Sequence, residues 1–269
     1  MRILSKVFTA LIFIFLYAPL VVMIFFSFNS SKSTSVFSGF SLHWYTELLN
    51  DSATIEAVKN TLILAVCSAV IATILGTVAA VGIFNMKSRF LKSSVKTVTN
   101  IPMMNPDIVT GISMMLLFVF VGKLINMSNS LGFLTILIAH VTFNLPYVIL
   151  NVLPKLRQTD EYLSEAAEDL GCTPAMAFFK VIIPSISPGI VTGLIMSFTL
   201  SLDDFVISYF TTGPGFETLP IRIFSMTKRA VKPDMYALST IIFLTVLVLL
   251  LLINFAQIRS EKKIQLKGE

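Results

Sequence analysis

Charge is what this sequence has least of. Only 13% of its 269 residues are Asp, Glu, Lys or Arg, about half the roughly 25% usual in soluble domains. The length would suit one or two soluble domains. With 55% of the residues hydrophobic and a mean hydropathy of +0.84, too little polar surface is left to clothe them. Cysteine is equally scarce: Cys67 sits in an apolar run and Cys172 in a polar loop, which excludes a disulfide framework and a Cys-based zinc site. The two histidines, His43 and His140, lie far apart, so His140 reads as a hydrogen-bonding residue rather than a metal ligand, and no metal site is expected. A GxxxxGK[ST] phosphate loop is missing too. The one Gly-Lys pair, Gly122-Lys123, lacks the earlier glycine, so any ATP must be bound, with its Mg, by another polypeptide. The net charge of +5 would suggest nucleic acid in a soluble protein. In a membrane protein it reports basic cytoplasmic loops, and no nucleic-acid partner is expected. There is no low-complexity stretch and no clear internal repeat.

What is abundant is apolar sequence in runs of about 20 residues, the length a helix needs to cross a bilayer. Six such runs occur, at 7–28, 62–84, 98–121, 131–153, 188–209 and 236–258. The expected fold class is therefore an all-α membrane protein, one transmembrane domain over 1–269 with six transmembrane helices. Arg2 and Lys6 precede the first run as in a signal peptide. Its apolar stretch is about twice the usual signal core and no small-x-small site follows, so it reads as a retained helix. Six crossings put both termini on one side. If that side is the cytoplasm, thirteen of the twenty Lys and Arg fall inside, as the positive-inside rule prefers. The firmest vote is the second connection, with Lys87, Arg89, Lys92 and Lys96 and no acid. In the outer loop 29–61, Trp44 reads as an aromatic anchor at the membrane interface.

The inner connection 154–187 is the longest on its side, and its punctuation spells two helices. Thr159 or Asp160 can cap the first, and Gly171 can end it in the left-handed conformation. Thr173 with Pro174 starts a second, which Pro184 is expected to stop. In the first helix Leu163, Ala166, Ala167 and Leu170 follow i, i+3, i+4, i+7, an apolar stripe opposite Glu161, Glu165 and Glu168. So short a helix cannot stand alone in water and must pack on something. That surface is either its own transmembrane bundle or another subunit.

Three carboxylates fall in the apolar runs: Asp107, Asp203 and Asp204. An ionisable group in a span is costly and defaults to a functional reading. Asp203 lies about 22 Å along the fifth run from Pro188, in the outer half of the bilayer. Ser197, Ser201, Asp204 and Ser208 recur at i, i+4, i+7, i+11, and His140, Asn144, Tyr147 and Asn151 repeat that spacing in the fourth run. Two such stripes suit a shared wet path. They suit equally a set of helix-to-helix hydrogen bonds, which average about 0.6 kcal/mol each in membranes. For adjacent Asp203 and Asp204 the path reading is favoured, because a cation relieves their repulsion. Asp204 is expected to be the most pore-facing, with Asp107 a second site unless it only caps the helix after Pro106. Aromatics beside them, Phe205, Tyr209, Phe143 and Tyr147, offer π faces to a cation. Two other classes use membrane aspartates. An intramembrane aspartyl protease needs a Gly-x-Gly-Asp context, and Ser201-Leu202-Asp203 does not supply it. A proton-driven secondary transporter would show inverted repeats.

The loop carries a resemblance. Glu165-Ala166-Ala167, three residues, Gly171, nine residues, then Val181-Ile182-Ile183-Pro184 is similar to the EAA…G…I-x-LP loop of ABC-importer permeases, with Val181 and Ile183 as conservative departures. The segments FSLHWYTELL, IAHVTFNLPYVIL, SLDDFVISYFTTGPGFETLPIRIFSM and PDMYALST resemble the PotC-type permeases of spermidine/putrescine importers. The resemblance implies the type I ABC-importer permease fold, with 154–187 as a cytoplasmic coupling loop that seats Glu165, Ala166, Ala167, Gly171, Val181, Ile183 and Pro184 on an ATPase subunit. It also implies a second permease subunit, two ATPase subunits, an extracytoplasmic substrate-binding protein and a place in the cell inner membrane. The chain would catalyse nothing itself, and a polyamine would pass along Asp203, Asp204 and their neighbours. A permease of the same fold for iron, sulfate or thiamine is the alternative.

Overall fold

The computed structural model describes residues 2–31, 36–127, 130–160, 162–228, 234–245 and 247–248. Their regular elements are all helical. In chain order they are α1 (Arg2–Phe26), α2 (His43–Asn50), α3 (Ser52–Asn85), α4 (Arg89–Met104), α5 (Asp107–Leu124), α6 (Phe133–Gln158), α7 (Leu163–Asp169), α8 (Pro174–Ala177), α9 (Ile183–Asp203), α10 (Val206–Thr211), α11 (Leu219–Thr227) and α12 (Asp234–Thr245). A π-helical turn, Phe178–Ile182, joins α8 to α9. Five stretches are long and apolar enough to cross a membrane: Lys6–Phe26, Ser52–Asn85, Asp107–Leu124, Phe133–Gln158 and Pro174–Asp203. The expected sixth span, 236–258, begins in α12 and continues into residues outside those described.

The chain forms two compact units, Met1–Ile55 with Ile223–Glu269, and Glu56–Arg222. In the first, α1 exposes apolar side chains all round, Phe15 at 81%, the mark of a helix whose neighbours are lipid or other chains. After it the chain is pinned at Asn29, whose amide donates to Val36 O and whose side-chain oxygen accepts from Ser38 N. The Trp44 indole donates to Asn29 O at 2.6 Å and the ring is buried. Trp44 is therefore an internal strut of the loop and not the interfacial anchor expected, because its N–H found a backbone acceptor close by.

The second unit is organised by α6. Its Val148, Ile149, Val152 and Leu153 pack with Ala72, Ala80 and Ile83 of α3 and with Ile186 of α9. Apolar burial does not drive helices together in lipid, so close contact of small residues must do it. Added Cβ atoms measure that closeness. At Gly189 a Cβ would stand 2.7 Å from Asn151 O, and at Gly76 2.7 Å from the Val148 side chain. At the far end Ala139 and Phe143 of α6 pack with Ile207 of α10, flanked by Met114 and Phe118 of α5.

Three elements differ from expectation. The third run, 98–121, is not one helix: α4 stops at Met104, Asn105 is extended with ψ 138°, and α5 begins at Asp107. Pro102 and Pro106 stand four apart, so two successive turns lose a hydrogen bond, and Pro106 pushes Asn105 out of the helical region. The second loop helix does not stop at Pro184. It runs from Pro174 through the π turn into α9, past Pro184 and Pro188; the wider i→i+5 turn ends directly before Pro184, where the regular ladder would lack a donor. The fifth run breaks at Asp204 (ψ 120°), and α10 starts afresh at Val206.

The Gly189 contact generates a test. Gly189→Ala should lower the melting temperature of the detergent-purified protein, since overpacking costs about 1–3 kcal/mol and the obstructing atom is a backbone carbonyl. Gly82→Ala, where a Cβ meets nothing within 4 Å, should leave it unchanged or raise it. Equal melting of the two variants would mean that α6 and α9 are not this close.

Candidate functional site

The interruption of the fifth run at Asp204 is the centre of the candidate site. A new helix needs acceptors for its first amides. Asp204 supplies them: Oδ1 accepts from Ile207 N at 3.3 Å and Oδ2 from Ser208 N at 2.7 Å. Oδ2 also accepts from the Ser208 hydroxyl at 2.9 Å. From α6, His140 Nε2 lies 2.9 Å from Ser208 Oγ and 3.4 Å from Asp204 Oδ2. Because the Ser208 proton is given to Asp204, His140 must donate through Nε2, which assigns the tautomer by the network. Nδ1 is buried with no partner among the described residues.

One turn along α6, the Asn144 amide donates to Ser201 Oγ of α9 at 2.7 Å, and Ser201 Oγ lies 2.8 Å from Ser68 Oγ of α3. His140, Asn144 and Ser208 are wholly buried, and the Asp204 side chain is 8% exposed. These polar groups therefore tie α3, α6, α9 and α10 together. Ser, His and Asp meet here, but one ring nitrogen faces both partners, so the imidazole is not interposed between them as acyl transfer requires.

Of the other candidates, Phe143 is buried, Phe205, Tyr147 and Asn151 are half-buried, and Asp203, Tyr209 and Asp107 are exposed. Asp203, last residue of α9, is exposed, as is Tyr209 at 44%. The Phe205 and Tyr209 rings lie 5.4 Å apart, and Phe143 and Tyr147 5.5 Å apart, with Tyr147 half-buried. Asp203 thus lies open and Asp204 covered. The serine stripe is also not one continuous helix face, since α9 ends between Ser201 and Ser208. Asp107 is exposed in the first turn of α5, where a carboxylate suits the helix's positive end. Asn151 returns its amide to Tyr147 O. Ser68 was not singled out in sequence: a lone serine in an apolar run carries no signal.

In the connection, α7 begins at Leu163, Asp160 Oδ1 accepting from Tyr162 N two residues earlier. Gly171 ends it with φ +89°, Gly171 N bonding Glu168 O and Cys172 N bonding Ala167 O, the paired bonds of a left-handed helix stop. Ala167 is buried, Glu165 and Ala166 are exposed, and Leu170 is 88% exposed. Val181 and Ile183 are half-buried and Pro184 is exposed. No group of His, Cys, Asp or Glu among the described residues is placed to hold a metal.

With this geometry in hand, comparison with known proteins is direct. The family described as "Binding-protein-dependent transport system inner membrane component" matches residues 72–265. The putrescine transport system permease protein PotI of Escherichia coli K12 is 42% identical, covering 93% of this chain and 89% of its own. The spermidine/putrescine transport system permease protein PotC of the same strain is 38% identical over 93% and 92%, and that of Haemophilus influenzae 38% over 93% and 94%. Among solved structures, a bacterial ABC transporter that imports the acidic polysaccharide alginate matches with a TM-score of 0.72 at 16% identity, covering 97% of this chain and 95% of that one. The last likeness speaks for the all-α multi-pass fold alone. Helices that expose apolar faces, a buried polar frame at a broken span and these matches together make the chain a non-catalytic inner-membrane transport subunit, a member of the binding-protein-dependent transport system inner membrane components and, within them, of the PotC/PotI-like permeases of ABC importers.

Proposed function

We propose that the chain is one of two permease subunits of an ABC importer that carries polyamines, spermidine or putrescine, across the inner membrane. The observation that carries this reading is its 42% and 38% identity, along 93% of its length, to permeases named for putrescine and for spermidine/putrescine. A polyamine needs acceptors and π faces to replace its water. Exposed Asp203, with Phe205 two residues on, Tyr209 four beyond that and Tyr147 half-buried, supports a cation-binding surface by Coulomb attraction and cation–π contact. Asp204, His140 and Asn144 set where that surface lies through the hydrogen bonds at the break. Asp107, exposed at the head of α5, is a second acceptor.

The reading extends to assembly. Residues 236–258 form the sixth crossing and both termini are cytoplasmic, which puts thirteen of the twenty Lys and Arg inside. The connection then faces the cytoplasm as the coupling loop, with Glu165, Ala166, Ala167, Gly171, Val181, Ile183 and Pro184 seated on one of two ATPase subunits. Exposed Leu170, beside the acids of α7, supports a surface awaiting a partner. A second permease completes the path and an extracytoplasmic binding protein delivers the substrate.

Three outcomes test this. Cells lacking the gene should lose uptake of labelled spermidine or putrescine, and uptake in cells that have it should survive collapse of the proton gradient while ATP is held up. Normal uptake in the deletion strain, with no second polyamine route present, would remove polyamines as the substrate. Asp203→Asn should lower uptake at least about fivefold, since a unit charge about 4 Å away is worth about 1 kcal/mol even in water, with the complex still assembled. Undiminished uptake would make Asp203 a bystander. Gly171→Asp should abolish the ATPase stimulation by loaded binding protein, because a side chain in the left-handed region costs about 1–2 kcal/mol and adds a charge beside Asp169. Stimulation left intact would show that the loop is not the coupling contact.

A further inference from the structure

At the end of the second unit that carries the α7 connection, α4 and α6 flank an open cavity of about 160 Å³. Lys96, Thr99 and Asn100 line it from α4, at i, i+3 and i+4, one face of the helix. Leu150, Leu153 and Arg157 line it from α6, at i, i+3 and i+7, again one face. No Asp or Glu lines it. Neither Lys96 nor Arg157 makes a hydrogen bond or ion pair with any described residue, and the Asn100 amide makes no hydrogen bond there either. The neighbouring Lys92 is engaged, donating to Phe84 O at 2.7 Å.

Two like charges face this recess without an acid beside them, Lys96 half-buried and Arg157 exposed. Desolvation, then the charges of Arg157 and Lys92, hold the Lys96 ammonium below its ordinary pKa. An anion between Lys96 and Arg157 would reverse that sign, and the Asn100 amide adds a neutral donor. Apart from Thr99, whose hydroxyl donates to Val95 O, the rest of the wall is apolar, and apolar surface continues outward: Leu150 is 42% exposed and Ile101, next to Asn100, 55% exposed. The surroundings therefore suit an amphiphile, charged at the head and apolar behind it. Basic pockets between membrane helices are known to hold anionic lipid heads.

We propose that this cavity binds the headgroup phosphate of an anionic phospholipid, with Lys96, Arg157 and Asn100 on the phosphate and the acyl chains along Leu150 and Ile101. This does not depend on what the importer carries.

The test uses the assembled importer, purified in detergent and titrated with phosphatidylglycerol or with phosphatidylcholine of the same chains, bound lipid being read by native mass spectrometry. Phosphatidylglycerol should bind more tightly. The double variant K96Q/R157Q should weaken it by about 30-fold, each charge contributing about fivefold, and leave phosphatidylcholine unaffected. K87Q/R89Q removes the same charge from exposed positions nearby and should change binding less than about twofold. Equal binding of the two lipids, or equal losses in the two double variants, would overturn the site in favour of diffuse attraction to a basic surface. Displacement of the lipid by inorganic phosphate alone would overturn the lipid in favour of a free anion.

Discussion

A backbone amide inside a bilayer has no water to turn to, so every interruption of a spanning helix must be answered from within the protein. The break between α9 and α10 is answered by a single carboxylate. Asp204 takes the first amides of α10 and the Ser208 hydroxyl, and His140 holds that carboxylate from across the helix pair. The rest of the site follows. With Asp204 committed to the backbone, Asp203 is turned the other way, together with the aromatic pair Phe205 and Tyr209. The same residues that make the break possible thus decide what the outer surface presents.

The arrangement leans on α6, which serves as both wall and donor. Its small-residue contacts let α3 and α9 come close enough for Ser68, Asn144 and Ser201 to form one chain of hydrogen bonds. Were Gly76, Gly189 or Gly193 larger, the helices would stand apart and those polar groups would be left unpartnered in hydrocarbon, at a cost of one to a few kcal/mol each. Close packing and polar satisfaction are therefore one requirement here, met by the same face of α6.

Much of this was legible in the sequence and some was not, for reasons that can be named. Apolar runs located α1, α6 and the end of α3 well, because length and hydropathy decide a span, but α3 starts at Ser52, ten residues before its run and inside the expected outer loop. Gly171 was legible as a helix stop, since few residues accept its φ of +89°. The prolines were harder. Pro106 breaks its run while Pro146, Pro154, Pro184 and Pro188 do not, and spacing does not separate them, since Pro102/Pro106 and Pro184/Pro188 are both four apart. The polar stripes were legible as stripes, but periodicity does not tell a wet path from a dry contact between helices. His140 and Asn144 turned out fully buried and bonded across helices, a fact of tertiary packing that only partners such as Ser68 and Ser208 reveal. Asp203 and Asp204 could not be ordered by access, because an assumed continuous helix rotates them differently from a broken one.

The continuity of the segment from Pro174 to Asp203 has a mechanical meaning in the proposed importer. Thirty residues make a rod of about 45 Å. One end stands beside the Gly171 turn, the surface proposed to meet the ATPase, and the other ends at the Asp204 break. A rod that stopped at Pro184 would lose motion in a flexible joint. This one is continuous, with the π turn at Phe178–Ile182 a wider step in its ladder. At the far end the restraint is polar and local: the bonds from Asp204 to Ser208 and His140 can exchange partners, whereas the packed contacts at Gly189 and Gly193 cannot slide without collision. In the proposed importer a displacement entering at the loop would therefore have to move α6 and α9 together, and the first place where the chain can yield is the break at Asp204, beside exposed Asp203.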